Sequence, residues 1–456
     1  VLESFRAAAR RLTTDPALLP WQMLLVDEAH NLSPSVFGDD SDRCEMLRQL
    51  TLYFEHRLFL TATPHNGYTV SFTGLLEILD PVRFQQKSKL DPADHDQVNL
   101  AMVRRLKSEL PKRGGADRFT KRFVDGERLK IPVKGVEKAL YDALKAYRKA
   151  GLELLSGISR RERRIGEFLF TLLTKRLLSS SYAFACTWWQ HVEGLDLGEQ
   201  SIDEVEYSQG RAQAALNDDE EMGLREQDAV RQSGAWLSRY ANRLKPQMET
   251  VSDRLVDLGW SYEAVRSGLS AHTNLPPDAK WDKLLEWIES EIGTPGRLQK
   301  NERLIIFTEY KHTLDYLMLR LKRAGYDAPA VEQLYGGASA LHREKTKDAF
   351  NDPEGPIRIL VATDTASEGI NLHTSCRYVM HFDMPWNPMR LEQRNGRVDR
   401  HGQARDVYVF HFTSDDEADL KFLGHVVKKV EQAREDLGSV GQVIDQSIIE
   451  HFTTGE

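Results

Sequence analysis

Apolar and polar positions follow two different periods along this chain. Short apolar runs ending in polar or glycine residues recur at "MLLVDEAH", "HRLFLTATP", "RLIIFTEY", "IRILVATD", "YVMHFDMP" and "DVYVFHFT". Continuous runs of this kind, with amphipathic helical patterns between them, predict strands of parallel sheets covered on both faces. They form two groups, roughly residues 21–64 and 303–413. Between the groups, "VEKALYDALKAYRKAGLELL" and "RIGEFLFTLLTKRLLSSSYAF" read as long helices, and residues 235–291 read as helical with a break at Pro276-Pro277. The acidic stretch 192–232 has few strand signals and is expected to be a surface loop or a partly disordered segment. The expected fold class is α/β, with two parallel-sheet lobes (1–135 and 296–456) separated by a helical insertion carrying the acidic loop (136–295).

Composition changes this picture little. At 456 residues, 41% hydrophobic and 29% charged, the chain has room for two or three domains and shows no low-complexity tract or repeat. No segment approaches transmembrane length, so no membrane partner is expected. Cys44, Cys186 and Cys376 are far apart and odd in number, which fits a reducing, cytoplasmic setting rather than a disulfide framework or a zinc site. The first residue is not Met, and the chain is expected to begin inside a longer gene product. Net charge is −8, but Met102 to Arg176 holds 21 Lys/Arg against 9 Asp/Glu, whereas Val192 to Arg231 holds 3 against 12. The basic region can track a phosphate backbone or simply form solvated helix faces.

Candidate chemistry falls at the carboxyl ends of the predicted strands, where open parallel sheets collect ligands. Asp27 and Glu28 follow the first strand in "VDEAH". Mg²⁺ takes oxygen ligands and keeps several waters, so one carboxylate, Asp27, suffices to place it; Glu28 can then deprotonate an attacking water. Thr61 and Thr63 of "LFLTATP" read by themselves as loop hydroxyls capping a turn. Thr308 and Tyr310 end "IIFTEY", and "LYGGAS" supplies Gly336-Gly337. In "VATDTASEGINLH", Thr363 and Thr365 offer hydroxyls and amides to a phosphate, and Gly369 lets backbone approach a ligand. In "MPWNPMRLEQRNGRVDRHGQ", Asn387 can cap a helix with Pro388 in its first turn, and Arg397 and Arg400 follow a turn at Gly396. Arginines placed against a γ-phosphate contribute about 10³–10⁵ in rate to phosphoryl transfer.

Taken in order, "VDEAH", "TATP", "FTEY", "VATDTASEGINL" and "EQRNGRVDRHGQ" resemble motifs II to VI of superfamily 2 helicases. Within that superfamily "MPWNPMRLEQRNGRVDRHGQ" resembles the Swi/Snf-type branch. "LFLTATPHNGYTVSFTGLLEILDP", "MVRRLKSEL" and "LLTKRLLSSSYAF" are similar to the Swi/Snf-like helicase subunit of prokaryotic DISARM phage-defence systems. The resemblance implies two RecA-like lobes, the first incomplete, and a motor that uses ATP and Mg²⁺ to move along double-stranded DNA beside other defence subunits. It implies Asp27 and Glu28 as magnesium ligand and water-activating base, and Arg397 and Arg400 as arginine fingers with Gln393 beside them. It places Glu368 and Gly369 near the nucleotide and Thr308 and Thr363 on the DNA backbone, and gives Thr61 and Thr63 a relay role. Motif I is missing, because no Gly-Lys-Ser/Thr occurs in the chain. This fragment alone is therefore expected to be inactive. A strand-separating DNA or RNA helicase and a non-hydrolysing binding module from a split or degenerate gene are the alternatives.

Overall fold

The computed structural model describes residues 21–35, 40–61, 64–66, 68–103, 120–125, 129–198, 200–213, 218–367, 369–385 and 388–414. The chain divides into two units. One comprises residues 1–110, 386–393 and 423–453, the other residues 111–385, 394–422 and 454–456.

In the first unit, strands β1 (Trp21–Val26) and β2 (Phe54–Phe59) pair in parallel, with Val26 opposite Phe59. Helix α1 (Asp42–Thr51) connects them and starts where Ser41 accepts a hydrogen bond from the Cys44 amide at 3.2 Å. Helix α2 (Thr69–Leu79) follows. Val26, Ala29, Cys44, Leu47, Leu75 and Ile78 form a small core on one side of the pair. Met23 and Leu25, which alternate with Leu24 and Val26, remain 51% and 60% exposed. One face of this two-stranded pair is therefore covered and the other is open, although parallel sheets are normally covered on both sides.

The second unit opens with β3 (Arg122–Asp125) and a helical insertion: α3 (Gly135–Leu154), α4 (Arg160–Ser179), α5 (Ser181–Leu195), α6 (Ile202–Gln213), α7 (Asp219–Leu237) and α8 (Ala241–Asp257). The helical periods read from the sequence are present: Leu140, Leu144, Tyr147 and Gly151 form the buried stripe of α3. Trp188, Trp236 and Trp260 are fully buried among these helices. Helices α5 and α7 approach backbone to backbone. A Cβ on Gly194 would lie 2.3 Å from the Arg231 carbonyl, and one on Gly234 2.6 Å from the His191 carbonyl, so only glycine fits at this crossing.

The acidic stretch differs from its expected loop character, because α6 and α7 are regular helices within it. Asp218 caps α7 by accepting from the Glu220 and Glu221 amides, and Asp219, Glu220 and Glu221 in the first turn suit the positive end of the helix dipole. Its buried positions include several small residues (Ala229, Ser233, Gly234, Ala235), which a hydrophobicity pattern does not register.

The main sheet contains β3, β4 (Leu304–Thr308), β5 (Val331–Leu334), β6 (Ile359–Thr363), β7 (Tyr378–His381) and β8 (Val407–His411). All its pairings are parallel, in the order β3-β8-β7-β4-β6-β5. Every residue of β4 and β6 is buried. Leu304, Ile306, Ile359 and Val361 face Trp281 and Trp287 of α9 (Ala279–Glu291) and Leu314 and Leu317 of α10 (Lys311–Arg323). Ile305, Phe307, Leu360 and Ala362 point to the opposite face, with Phe350 of α11 (Ala340–Asn351). The α/β expectation is met. The 1–135 boundary is not: β3 lies within it yet pairs with β8, because "RFVD" is too short and too charged to read as a strand. No helix among the described residues is long and apolar enough to cross a membrane.

Glu137 of α3 accepts from the Ala279 amide at the start of α9. Burial, then repulsion from Asp278, pushes its carboxyl up to about 7. A raised folded-state pKa contributes stability that is complete below the ordinary carboxylate range and lost as pH climbs through about 7. Thermal melts are expected to show Tm falling between pH 5 and 8 in the native chain relative to Glu137→Gln. Parallel Tm profiles for the two would refute this coupling.

Candidate functional site

The carboxyl end of β1 turns sharply. Glu28 has φ 48° and ψ 44° and is the only non-glycine residue among the described residues with positive φ. A left-handed glutamate costs about 1–2 kcal/mol, and such strain concentrates at functional sites. The turn is held from both sides. Asp27 Oδ1 accepts from the Glu28 amide at 2.9 Å, Leu60 N donates to Val26 O at 2.8 Å, and Ala29 N donates to Leu60 O at 3.0 Å. These bonds set Asp27, exposed, and Glu28, half-exposed, beside Thr61 at the end of β2.

His30 joins the pieces. Its Nδ1 lies 2.9 Å from Thr61 Oγ1 and 3.3 Å from Glu28 Oε2. Its Nε2 meets the side-chain amide nitrogen of Gln393, in the same unit, at 2.8 Å. With Gln393 donating to Nε2, the neutral ring carries its proton on Nδ1 and presents it to Glu28 and Thr61. Sequence reasoning missed this linking role, although His30 closes the motif that singled out Asp27 and Glu28. Thr63 and Glu368 lie outside the described residues. Among the described residues no cluster of three or more His, Cys, Asp or Glu could hold a metal ion. The exposed Asp27 carboxylate fits Mg²⁺ held by one protein oxygen, with waters and phosphate completing its shell.

In the second unit the polar ends of the strands converge on Asp383. Its carboxylate accepts from Thr308 Oγ1 (2.6 Å), Ser179 Oγ (2.6 Å) and the Glu309 amide (2.9 Å). Arg394, 2% exposed, is bracketed by it: Nη1 donates to the Asp383 carbonyl at 2.7 Å, while Nε and Nη2 bond the Asp364 carboxylate. Burial and the Arg394 charge push His381 well below its ordinary value, so its neutral ring bonds Asn395 at 3.0 Å. Thr308 is thus fully buried, its hydroxyl spent on Asp383 rather than turned outward. Thr363, level with Thr308 in the sheet, is equally buried and donates to Asp219. Neither Asp383 nor Arg394 was singled out from the sequence; their signal was a charge placed directly after an apolar run or beside the paired arginines.

Helix α12 (Pro388–Asn395) begins on the expected proline. Beyond it Arg397, 8% exposed, and Arg400, exposed and bonded to the Asn371 side chain, belong to the second unit. Leu372 N donates to the Arg397 carbonyl at 2.9 Å, tying this segment to the loop that contains Gly369. Gly369 has φ +75°, and a Cβ there would meet nothing within 4 Å, so backbone sign, not space, requires glycine. Thr365, half-buried, sits in the short helix Asp364–Ser367.

Residues 279–402 match the family described as "Helicase conserved C-terminal domain". The uncharacterized ATP-dependent helicase YqhH of Bacillus subtilis is 33% identical over 152 residues, covering 33% of this chain and 26% of that protein. The RNA polymerase-associated protein RapA of Yersinia enterocolitica is 26% identical over 395 residues, covering 85% of this chain and 35% of that protein. A solved C-terminal part of the Fun30 ATPase domain aligns at TM-score 0.39 and 16% identity, over 68% of this chain and 90% of that one, too weakly to add to the topology above. The chain thus spans a quarter to a third of the length of these curated relatives.

Removing the Asp383 carboxylate leaves the Thr308 and Ser179 hydroxyls and the Glu309 amide without their acceptor and takes one of two nearby carboxylates from the buried Arg394, which keeps Asp364. Asp383→Ala is expected to destabilise the second unit by about 3–5 kcal/mol, and Thr308→Val by about 1 kcal/mol. Chemical denaturation followed by tryptophan fluorescence measures both; equal small losses would remove Asp383 from its central place.

Proposed function

We propose that this chain is part of a Swi/Snf-type superfamily 2 ATPase that translocates on double-stranded DNA. The observation that carries this reading is the contact of the strained Glu28 with His30, whose ring is hydrogen-bonded to Thr61 and Gln393. It joins a carboxylate able to act on water to two residues outside its own strand, the connection a motor needs between hydrolysis and movement.

In this mechanism Asp27 holds Mg²⁺, which when bound neutralises phosphate charge and orients the terminal phosphoryl group. Glu28 takes a proton from the attacking water, and His30 keeps its carboxylate turned toward that water. Arg397 and Arg400 supply guanidinium charge to the phosphate oxygens as negative charge spreads over them. Loss of the phosphate relaxes His30, which alters its bonds to Thr61 and Gln393 and so carries the change beyond the strand that holds Glu28. Contacts to nucleic acid are made mainly to the backbone, with Thr363, Thr365 and the basic stretch 102–176 as the groups offered.

Hydrolysis also requires a phosphate-binding loop, and the chain contains no Gly-Lys pair. The open face of β1 and β2, with Met23 and Leu25 exposed, supports further strands of the same lobe being supplied by sequence beyond this chain. The resemblance to the DISARM helicase subunit supports an anti-phage role with partner subunits. The alignment of 85% of the chain with an RNA polymerase-associated protein favours, as a second reading, a motor that works beside a transcribing polymerase.

The test compares ATP hydrolysis by the 456-residue chain with that of a chain extended upstream through a Gly-Lys-Ser/Thr loop. Hydrolysis stimulated by duplex DNA is expected only in the extended chain, with Glu28→Gln lowering kcat by about 10³-fold or more. Robust turnover by the 456-residue chain, abolished by Glu28→Gln, would overturn the division of labour proposed here.

A further inference from the structure

Helix α7 reaches out of the insertion and sets a carboxylate on the strand ends of the main sheet. Asp219 Oδ2 accepts from the Gly336 amide, just past β5, and from the Thr363 hydroxyl at the end of β6, each at 2.5 Å. A backbone amide beside a glycine pair and a threonine hydroxyl form a neutral pair of donors, the chemistry that receives one oxygen of a phosphate group. The neighbouring Asp218 carboxylate lies against Gly337, where a Cβ would come within 3.1 Å of it. Seven residues along, on the same side of α7, Glu226 bonds Arg176, whose guanidinium lies 3.8 Å over the Tyr310 ring. The acidic helix is therefore laid along the carboxyl edge of β4, β6 and β5.

The contact is energetically poor for a purely structural one. Asp219 is only 3% exposed, makes no ion pair, and its Oδ1 has no hydrogen-bond partner. A buried carboxylate held by two neutral donors, with one oxygen unsatisfied, gains little net stability. By contrast, the C-terminal half of α7 is locked into the insertion through Gly234 and the buried Trp236 and Leu237. Release of the first two turns need not disturb that half.

We propose that Asp218 and Asp219 mimic a nucleic-acid phosphate and hold the backbone-binding cradle of Gly336 and Thr363 shut until a duplex displaces them. The proposal rests on the nucleic-acid reading above and adds an autoinhibitory contact to it. Asp218 to Glu221 place four successive acidic residues at this edge, so a duplex phosphate meets both a rival ligand and a like charge.

The test uses the 456-residue chain and a mixed-sequence blunt DNA duplex at low and moderate salt. Asp219→Asn, and Asp218→Asn, which keeps a good helix cap, are expected to lower the duplex Kd by about 5–100-fold, the usual range of coupling between sites. Glu220→Gln/Glu221→Gln, which removes the same amount of charge as the two asparagines together without touching the cradle, is expected to have a much smaller effect. Hydrogen exchange on the unsubstituted chain is expected to show faster exchange at residues 219–225 when duplex is added. That readout stands even if a substitution unfolds the protein. Duplex binding that is equal in all variants, or equally tightened by Glu220→Gln/Glu221→Gln, with residues 219–225 unchanged, would overturn the plug and leave nucleic-acid binding intact. Absence of duplex binding in every variant at every salt concentration would remove both readings.

Discussion

At the carboxyl edge of the six-stranded sheet, one buried carboxylate gathers hydrogen bonds from four directions. Asp383 receives the Thr308 hydroxyl from its neighbouring strand, the Glu309 amide from the following loop, the Ser179 hydroxyl from the insertion, and the Arg394 guanidinium. A parallel sheet buried on both faces still has to satisfy the polar groups at its strand ends, and a lone charge there would be very costly. The arrangement solves both problems at once. It fixes where the insertion meets the sheet and how the arginine-bearing segment after α12 leaves it. Ser179 sits at the break between α4 and α5, so the same contact also sets the direction of two long helices.

Function follows from what this anchoring leaves at the sheet edge. With Thr308 committed to Asp383 and Arg394 shared between Asp383 and Asp364, what remains at the edge is the Gly336 amide and the Thr363 hydroxyl, both bonded to Asp219, together with the half-buried Thr365 and the exposed Arg400. Much of that edge is covered by an acidic helix from the insertion. In the first unit the chemistry is concentrated at a single strained turn. Glu28 is held in a left-handed conformation by bonds to Asp27 and across to β2, and His30 carries its position to Thr61 and Gln393. The insertion therefore serves as more than a spacer, because it reaches the surface where a nucleic-acid backbone is proposed to lie.

Much of this was legible in the sequence, and the omissions have physical causes. The strands that matter most, "LIIFT" and "ILVAT", are apolar up to their final threonine because both faces are buried, and that pattern marks a parallel sheet. The carboxylate pair and the arginine segment were visible because their chemistry requires fixed residue types at short spacing. Asp383 was not legible, since a single aspartate after an apolar run can equally end in solvent, and its four donors come from positions up to 204 residues away. The acidic helices were misread because charge dominates their composition while small residues, Ala229, Ser233, Gly234 and Ala235, make up half of the buried positions of α7. β3 was missed because four residues with a charge at each end carry no period.

The proposed motor is driven by contact with a nucleic-acid backbone. It is tested most directly by the salt dependence of duplex-stimulated ATP hydrolysis in a protein that contains this chain together with its phosphate loop. The account predicts that the duplex concentration giving half-maximal stimulation rises steeply with salt, by about 10³-fold or more between 50 and 200 mM if six or more phosphates are contacted, with little change between duplex sequences. Hydrolysis that ignores the duplex, or stimulation that depends on sequence and barely on salt, would contradict it.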